Sequence, residues 1–379
     1  MRVHSAALVT VLIAGCTAVR VADPGLQRCI WVTRWDWRTP ADIQQIMQNC
    51  AAAGFRTVLF QVRGNGTVLY RSQLEVWSEH FEYRDPGFDP LQVAIDSARR
   101  HGLQLHAWCN VTPGWRGDRP PADPRQLARA HPEWFLADER GEPQPRARSG
   151  YQSLNVCLPE VREYLTSVVR ELATAYALDG IHLDYIRFPS KDGEEDGAKY
   201  GRDRRTFEIF RRAKGRDPRL DALAFERFKS ECVTELVRSI RAAVLNTPRA
   251  PQLSAAVWAT PALAREKVNQ DWEQWTKAGL VDAVFPMNYQ SDDTVFALQV
   301  REAVARSHGV PVVVGIGAHK HTSATQTIRQ MDVAMREGSA GISLFGYESL
   351  HARAGVPPER KQTQLRDAVS RWKGVAVSR

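Results

Sequence analysis

Apolar and polar positions alternate with a period of two through eight short stretches of the chain. Between those stretches the apolar positions recur every three to four residues. The period-two segments lie at residues 29–37, 57–63, 103–110, 180–188, 253–260, 283–289, 312–319 and 341–347. The helical pattern occupies residues 41–53, 90–101, 159–176, 207–245, 263–278, 295–307, 324–337 and 358–372. Strict strand–helix alternation predicts a parallel sheet with crossover helices, and eight repeats close a single α/β TIM (β/α)8 barrel. An open, doubly wound sheet is the alternative. Two βα loops are long, at residues 111–153 and 189–205. In a barrel both emerge at the C-terminal face, where active sites are built.

The parity of each strand says which side chains look inward. In the third segment Leu103, Leu105, Ala107 and Cys109 suit the helix layer, so Gln104, His106, Trp108 and Asn110 face the barrel interior. In the fourth, Ile181, Leu183 and Tyr185 face the helices while His182 and Asp184 face in. In the second, Val58, Phe60 and Val62 face out and Gln61 and Arg63 face in. Polar groups on an inner face are costly to bury without purpose. Three strands agree, which points to a polar site at the mouth.

Asp184 ends one of these inward columns, and a carboxylate there can serve as nucleophile, general acid or base. The plainer role is an ion pair with Arg63 or Arg187. His182 lies one layer deeper, where a hydrogen-bonded core histidine is the simplest reading. Trp35, Trp37, Trp77, Trp108, Trp115, Trp134, Trp258, Tyr289 and Tyr347 fall at or just past strand ends. Any one of them could be packing, but their concentration at one face suits a carbohydrate groove. His319-Lys320-His321 offers imidazoles after strand seven, but strand one lacks an HxH pair, so no metal is expected. Gly64-Asn65-Gly66 meets Leu69 where a dinucleotide fingerprint needs its third glycine, and no GxSxG elbow occurs. No cofactor is expected.

Composition adds compartment and charge. The 379 residues are 43% hydrophobic and 25% charged, which excludes disordered and coiled-coil classes. Net charge is +8, carried mostly by arginine, and favours anionic partners. The arginines are dispersed and no nucleic-acid motif is present, so nucleic acid is not expected as a partner. Arg2 precedes a short apolar run that ends Leu12-Ile13-Ala14-Gly15-Cys16. This is a secretory signal too short to span a membrane, and its end looks like a bacterial lipobox. The expected layout is a lipoprotein signal peptide at 1–15, a tether at 16–27 and the barrel at 28–379. Cys16 would carry the lipid and hold the chain on the membrane. Thr17 in place of Asp favours the outer membrane, facing the periplasm. The remaining Cys29, Cys50, Cys109, Cys157 and Cys232 are odd in number and lack CxxC spacing.

Several motifs together resemble the glycosyl-hydrolase-like 10 family. They are Gln61-Val62-Arg63-Gly64-Asn65-Gly66 with Leu69-Tyr70 and Trp77-Ser78, then His106-Ala107-Trp108-Cys109-Asn110 and His131-Pro132-Glu133-Trp134. Leu154-Asn155, Pro159-Glu160-Val161-Arg162 and the run Gly180-Ile181-His182-Leu183-Asp184-Tyr185-Ile186-Arg187-Phe188-Pro189 continue the match. Pro286-Met287-Asn288-Tyr289 with Asp292, and Phe345-Gly346-Tyr347-Glu348-Ser349-Leu350, complete it. The family pattern has Asp where this chain has Thr67.

The resemblance implies a TIM-barrel glycosidase on bacterial glycan, with peptidoglycan strands stripped of stem peptides as the substrate of lipoprotein members. A free lactyl carboxylate on muramic acid would suit an arginine fork. Glycosidic hydrolysis needs two carboxylates. Asp184 is the first, Asp292 the preferred second, with Glu348 and then Asp36 behind it. The expected substrate-binding set is Arg63, Asn65, Tyr70, Trp77, His106, Trp108, Asn110, His182, Arg187, Trp258, Asn288, Tyr289 and Tyr347. A barrel that binds peptidoglycan without turnover, and a hydrolase of another anionic exopolysaccharide, are the alternatives.

Overall fold

A computed structural model describes residues 28–117, 121, 123–145, 150–192, 196–352 and 359–372. Cys16, the signal and the tether lie outside the described residues. Eight parallel strands form the barrel: β1 (Arg28–Val32), β2 (Thr57–Arg63), β3 (Gln104–Asn110), β4 (Gly180–Asp184), β5 (Gln252–Trp258), β6 (Ala283–Asn288), β7 (Val313–Ile316) and β8 (Gly341–Phe345). Each pairs with the next in sequence, and β1 pairs with both β2 and β8, so the sheet closes on itself. The fold is a TIM barrel.

The strand alternation does what the parity requires. Cys29, Trp31, Leu59, Trp108, Phe285 and Val313 form an interior core. Their sequence neighbours Ile30, Val58, Phe60, Ala107 and Cys109 join a separate core shared with the helices. Fully burying one aliphatic or aromatic side chain contributes about 1.5–3 kcal/mol, so a strand slipped by one residue would lose that sum on both faces.

The helices start where local chemistry allows. Thr39 caps the helix Pro40–Ala52 in a capping box with Asp42, and Pro40 supplies a preset φ at its first turn. Asp89 caps Pro90–Arg100 by its side chain alone, accepting from the Leu91 and Gln92 amides. Two patterns read as single helices are each divided. Residues 207–245 split into Arg204–Lys214 and Ala222–Leu245, because Gly215 ends the first in a left-handed conformation. Residues 263–278 split into Pro261–Val268 and Trp272–Lys277 at the left-handed Asn269. Among the described residues, no helix is long and apolar enough to cross a membrane. Cys29, Cys50, Cys109, Cys157 and Cys232 are all buried, and none of them forms a disulfide.

Candidate active site

A cavity of about 280 Å3 opens at the C-terminal ends of the barrel strands, with Trp31, Gln61, Trp108, Asn110, Asp184 and Tyr289 in its wall. A larger groove of about 1130 Å3 lies on the outer helices, lined by charged side chains such as Glu226, Arg227 and Glu235. It contains none of the strand-end residues. The chemistry belongs to the smaller cavity.

Asp184 is 7% exposed at the end of β4. Its Oδ2 accepts from Trp108 Nε1 at 3.2 Å, and its Oδ1 accepts from the Tyr185 amide at 2.6 Å. That amide is aimed by Tyr185 itself, which holds a left-handed φ of 48°, a conformation rare for a large side chain. Burial pushes the Asp184 carboxyl up to about 6, against the lowering effects of the Tyr185 amide, the Arg187 charge and the Trp108 bond. A carboxyl there exchanges protons near neutral pH. Asn110, paired in register beside Asp184, is buried and its Oδ1 has no hydrogen-bond partner, leaving an acceptor for a substrate hydroxyl.

His182 and His106 stay in the barrel floor. Trp31 Nε1 donates to His182 Nε2 at 3.1 Å, so the ring proton sits on Nδ1, which meets Ser254 Oγ at 2.9 Å. Burial, and then the His106 charge, lower the His182 pKa well below the ordinary histidine value. His182 thus acts as a neutral brace for Trp31. His106 fills the space left by the missing side chain of Gly180, where a Cβ would lie 2.5 Å from its ring.

The carboxylates expected to join Asp184 part company. Asp292 is exposed and caps the helix Asp293–Arg306, its Oδ1 accepting from Thr294 at 2.7 Å and Val295 at 2.9 Å. Its bonds are spent on the helix, and it does not line the cavity. Asp36 likewise closes a turn onto Thr33. Glu348, just past β8, keeps a buried Oε2 without a hydrogen-bond partner. Burial, then Asp184, with Tyr185 and Glu348 behind, push the Tyr289 phenol well above its ordinary value. Tyr289 thus feels both carboxylates.

Arg63 does not face the mouth. The β2–β3 register slips between Gln61 and Arg63, and this bulge reverses the parity counted along the strand. Arg63 forms a buried pair with Glu75, Nη2 to Oε1 at 2.6 Å and Nε to Oε2 at 2.8 Å. Its Nη1 donates to the Asn110 and Val111 carbonyls. Several other expected binders also do not line the cavity. Asn288 donates to the Phe296 carbonyl at 3.0 Å, Tyr70 reaches Glu171, and the Tyr347 hydroxyl accepts from Asn49 at 2.7 Å. Asn65 is buried in the loop after β2, Trp77 packs its ring on Phe81, and Trp258 holds backbone bonds to Gln270 and Trp272. Arg187 stacks on Tyr185 at 4.7 Å beside the cavity.

Of the strand-end aromatics, Trp35, Trp108 and Tyr289 reach the cavity. Trp37 stacks on Phe60, Trp115 on Tyr83 and Trp134 on His131. His319 meets the Phe345 carbonyl while His321 meets Thr327, so the two rings do not converge. Among the described residues no group of three His, Cys, Asp or Glu could hold a metal ion.

Arg34 and Tyr151 were missed by sequence reasoning. The predicted first strand overran Val32 to residue 37, which hid the turn that carries Arg34. Tyr151 belongs to a three-residue strand, Tyr151–Ser153, too short to give a periodic signal. Thr67 is fully buried and donates to Glu79 Oε2 at 3.2 Å, so it orients the loop and does not face the cavity.

A parallel barrel whose mouth holds a buried aspartate in an aromatic wall is compatible with a glycosidase-like protein. The chain belongs to the Glycosyl hydrolase-like 10 family, which it matches over residues 27–332. It is 30% identical over 166 residues to the glycosyl hydrolase DigH of Escherichia coli K12, covering 39% of this chain and 36% of that one. It is 28% identical over 167 residues to the glycosyl hydrolase YngK of Bacillus subtilis, covering 41% of this chain and 30% of that one. The chain thus spans about a third of the length of these curated relatives. The PgaB (BpsB) glycoside hydrolase domain of Bordetella bronchiseptica matches with TM-score 0.61 and 13% identity, covering 91% of this chain and 99% of that one. The catalytic domain of a Paenibacillus polymyxa beta-amylase matches with TM-score 0.62 and 12% identity, covering 91% and 97% respectively. At such identity these two concern the fold alone.

Proposed function

We propose that this protein hydrolyses O-glycosyl bonds of bacterial cell-wall glycan, with peptidoglycan strands stripped of stem peptides as its substrate. The observation that carries this reading is Asp184, a buried carboxyl pushed to about 6 and held by Trp108 inside the barrel mouth. In this role Asp184 gives a proton to the glycosidic oxygen as the bond breaks and recovers one from water. Glu348 is a better second carboxylate than Asp292, supported by its unpartnered buried oxygen and its influence on Tyr289, although it stands behind the cavity wall. The aromatic wall that includes Trp35, Trp108 and Tyr289 would meet the apolar side of a sugar ring, and Asn110 would accept a hydroxyl. The lipid on Cys16 would hold the barrel at the outer membrane, facing the periplasm.

One observation favours a second reading, a barrel that binds glycan without cutting it. Among the described residues, Asp184 is the only carboxylate in the cavity wall. Purified peptidoglycan, intact and amidase-stripped, separates the two. The hydrolase reading expects new oligosaccharides by mass spectrometry, released faster from stripped strands and absent with Asp184→Asn. Saturable binding with no product would support the second reading.

A further inference from the structure

Two arginines near the strand ends are almost wholly buried, and they are neutralised very differently. Arg63 is closed off by Glu75 through two short bonds, with three carbonyls taking its remaining Nη1. Arg34 is 1% exposed and lines the same cavity as Asp184. Its ion pair with Glu79 is loose, at 3.7 Å, and Glu79 is itself 22% exposed. Its Nη2 donates to the Tyr151 hydroxyl at 3.2 Å, while its buried Nε has no hydrogen-bond partner. A guanidinium taken out of water with a donor unused is costly unless something completes its shell.

The surroundings fix this group as a rigid donor. Its plane rests on Gly64, where a Cβ would stand 2.5 Å from Nη1, so only glycine admits it. Its carbon lies 4.5 Å from the Trp35 ring centre, and the Arg116 guanidinium approaches the same ring at 5.6 Å. Arg116 also lies 5.9 Å from the Tyr151 ring. Trp35 is 38% exposed at the rim, and both guanidiniums lie over its ring, so two positive charges meet at one partly open aromatic. Thr67 and Ser78 both donate to Glu79 Oε2 and hold that carboxylate beside Arg34.

We propose that Arg34, with Trp35 and Arg116, forms a subsite for a carboxylate carried on a sugar ring. It selects acidic glycans at the cavity that holds Asp184. This rests on the glycan reading above and adds a substrate class to it. An Arg fork matches a carboxylate in two parallel charge-assisted bonds, and the exposed part of Trp35 lies beside the ring that carries the acid. The acid could be an ether-linked lactyl group or a uronic carboxyl, since both present the same planar anion.

The test is calorimetric titration of the full chain carrying Asp184→Asn, which removes turnover. The probes are a tetrasaccharide of alternating N-acetylglucosamine and N-acetylmuramic acid, its carboxyl-amidated form, and a uronic-acid tetrasaccharide. The lactyl acid, the uronic acid or both should bind about 10- to 100-fold tighter than the amidated form, the range for a charge-assisted bond. Which acid binds names the source. Adding Arg34→Gln should bring the ratio to near one, and Arg34→Lys should restore part of it. Arg116 is exposed, so Arg116→Ala keeps the test open should Arg34→Gln not fold; it should reduce the ratio in part. Equal affinity for acid and amide overturns the subsite, as does a preference that survives Arg34→Gln. Failure to bind any probe overturns the glycan reading instead, and acid-selective binding without hydrolysis by the wild type overturns only the enzyme.

Discussion

Two aspartates stand at the C-terminal side of the barrel, one ending β4 and one just past β6, two strands away. Their surroundings differ in every respect that matters to chemistry. Asp184 is buried among aromatics, accepts one indole and one amide bond, and titrates near 6. Asp292 is exposed and gives its oxygen to two amides of the helix it caps. The first is held in a state that is expensive at neutral pH; the second lowers the energy of its own helix. The two arginines repeat the contrast, Arg63 closed by Glu75 and Arg34 left with an unused donor. Residue type and position at a strand end are therefore weak guides to function. What separates the members of each pair is whether the fold satisfies their hydrogen bonds.

The largest effect expected is on turnover. Asp184→Asn should lower the rate of glycan cleavage by about 10²–10⁴-fold, the usual contribution of a proton-transfer group, while the fold persists by circular dichroism. Asp292→Asn should leave the rate within a small factor, and equal losses would erase the contrast.

Stability should sort the arginine pairs. Glu75→Ala leaves Arg63 buried without its counter-charge and should cost about 3–5 kcal/mol in chemical denaturation. Glu79→Ala should cost well under half of that, because its pair with Arg34 is loose, at 3.7 Å, and its side chain is 22% exposed.

Next in size is a pH effect on the fold. The Asp184 pKa is raised from 3.8 to about 6, so the folded state holds its proton more tightly than the unfolded chain. Wild-type stability should fall as pH rises from about 4 to 6, by about 3 kcal/mol from a shift of about two units. Asp184→Asn does not titrate, so it should be more stable than wild type above pH 6 and lose that advantage below pH 4. Thermal melts across this range read it directly. Smallest is the cap: Asp292→Ala should cost about 1 kcal/mol, with activity retained.

Much of this was legible in residue patterns. The strand alternation predicted eight strands and the inward column that ends at Asp184, because burial on both faces of a barrel strand enforces parity. The same counting failed at Arg63, where a bulge between Gln61 and Arg63 adds a residue that no single-strand pattern reveals. Asp292 could have been read as a cap, since Asp followed by Asp293-Thr294 before an apolar run is a helix-start signal. The predicted helix began two residues late and left it looking free. Arg34 and Tyr151 were invisible for another reason. Their meeting joins residues far apart in sequence through the pairing of Tyr151–Ser153 with Pro113–Arg116, and nothing local encodes it.

The most direct test of the account is a parallel assay of new reducing ends released from amidase-stripped peptidoglycan by wild type, Asp184→Asn and Asp292→Asn. Wild type and Asp292→Asn should release reducing ends, and Asp184→Asn should stay near background. Cleavage that survives Asp184→Asn, or that is lost with Asp292→Asn in a folded protein, would contradict it.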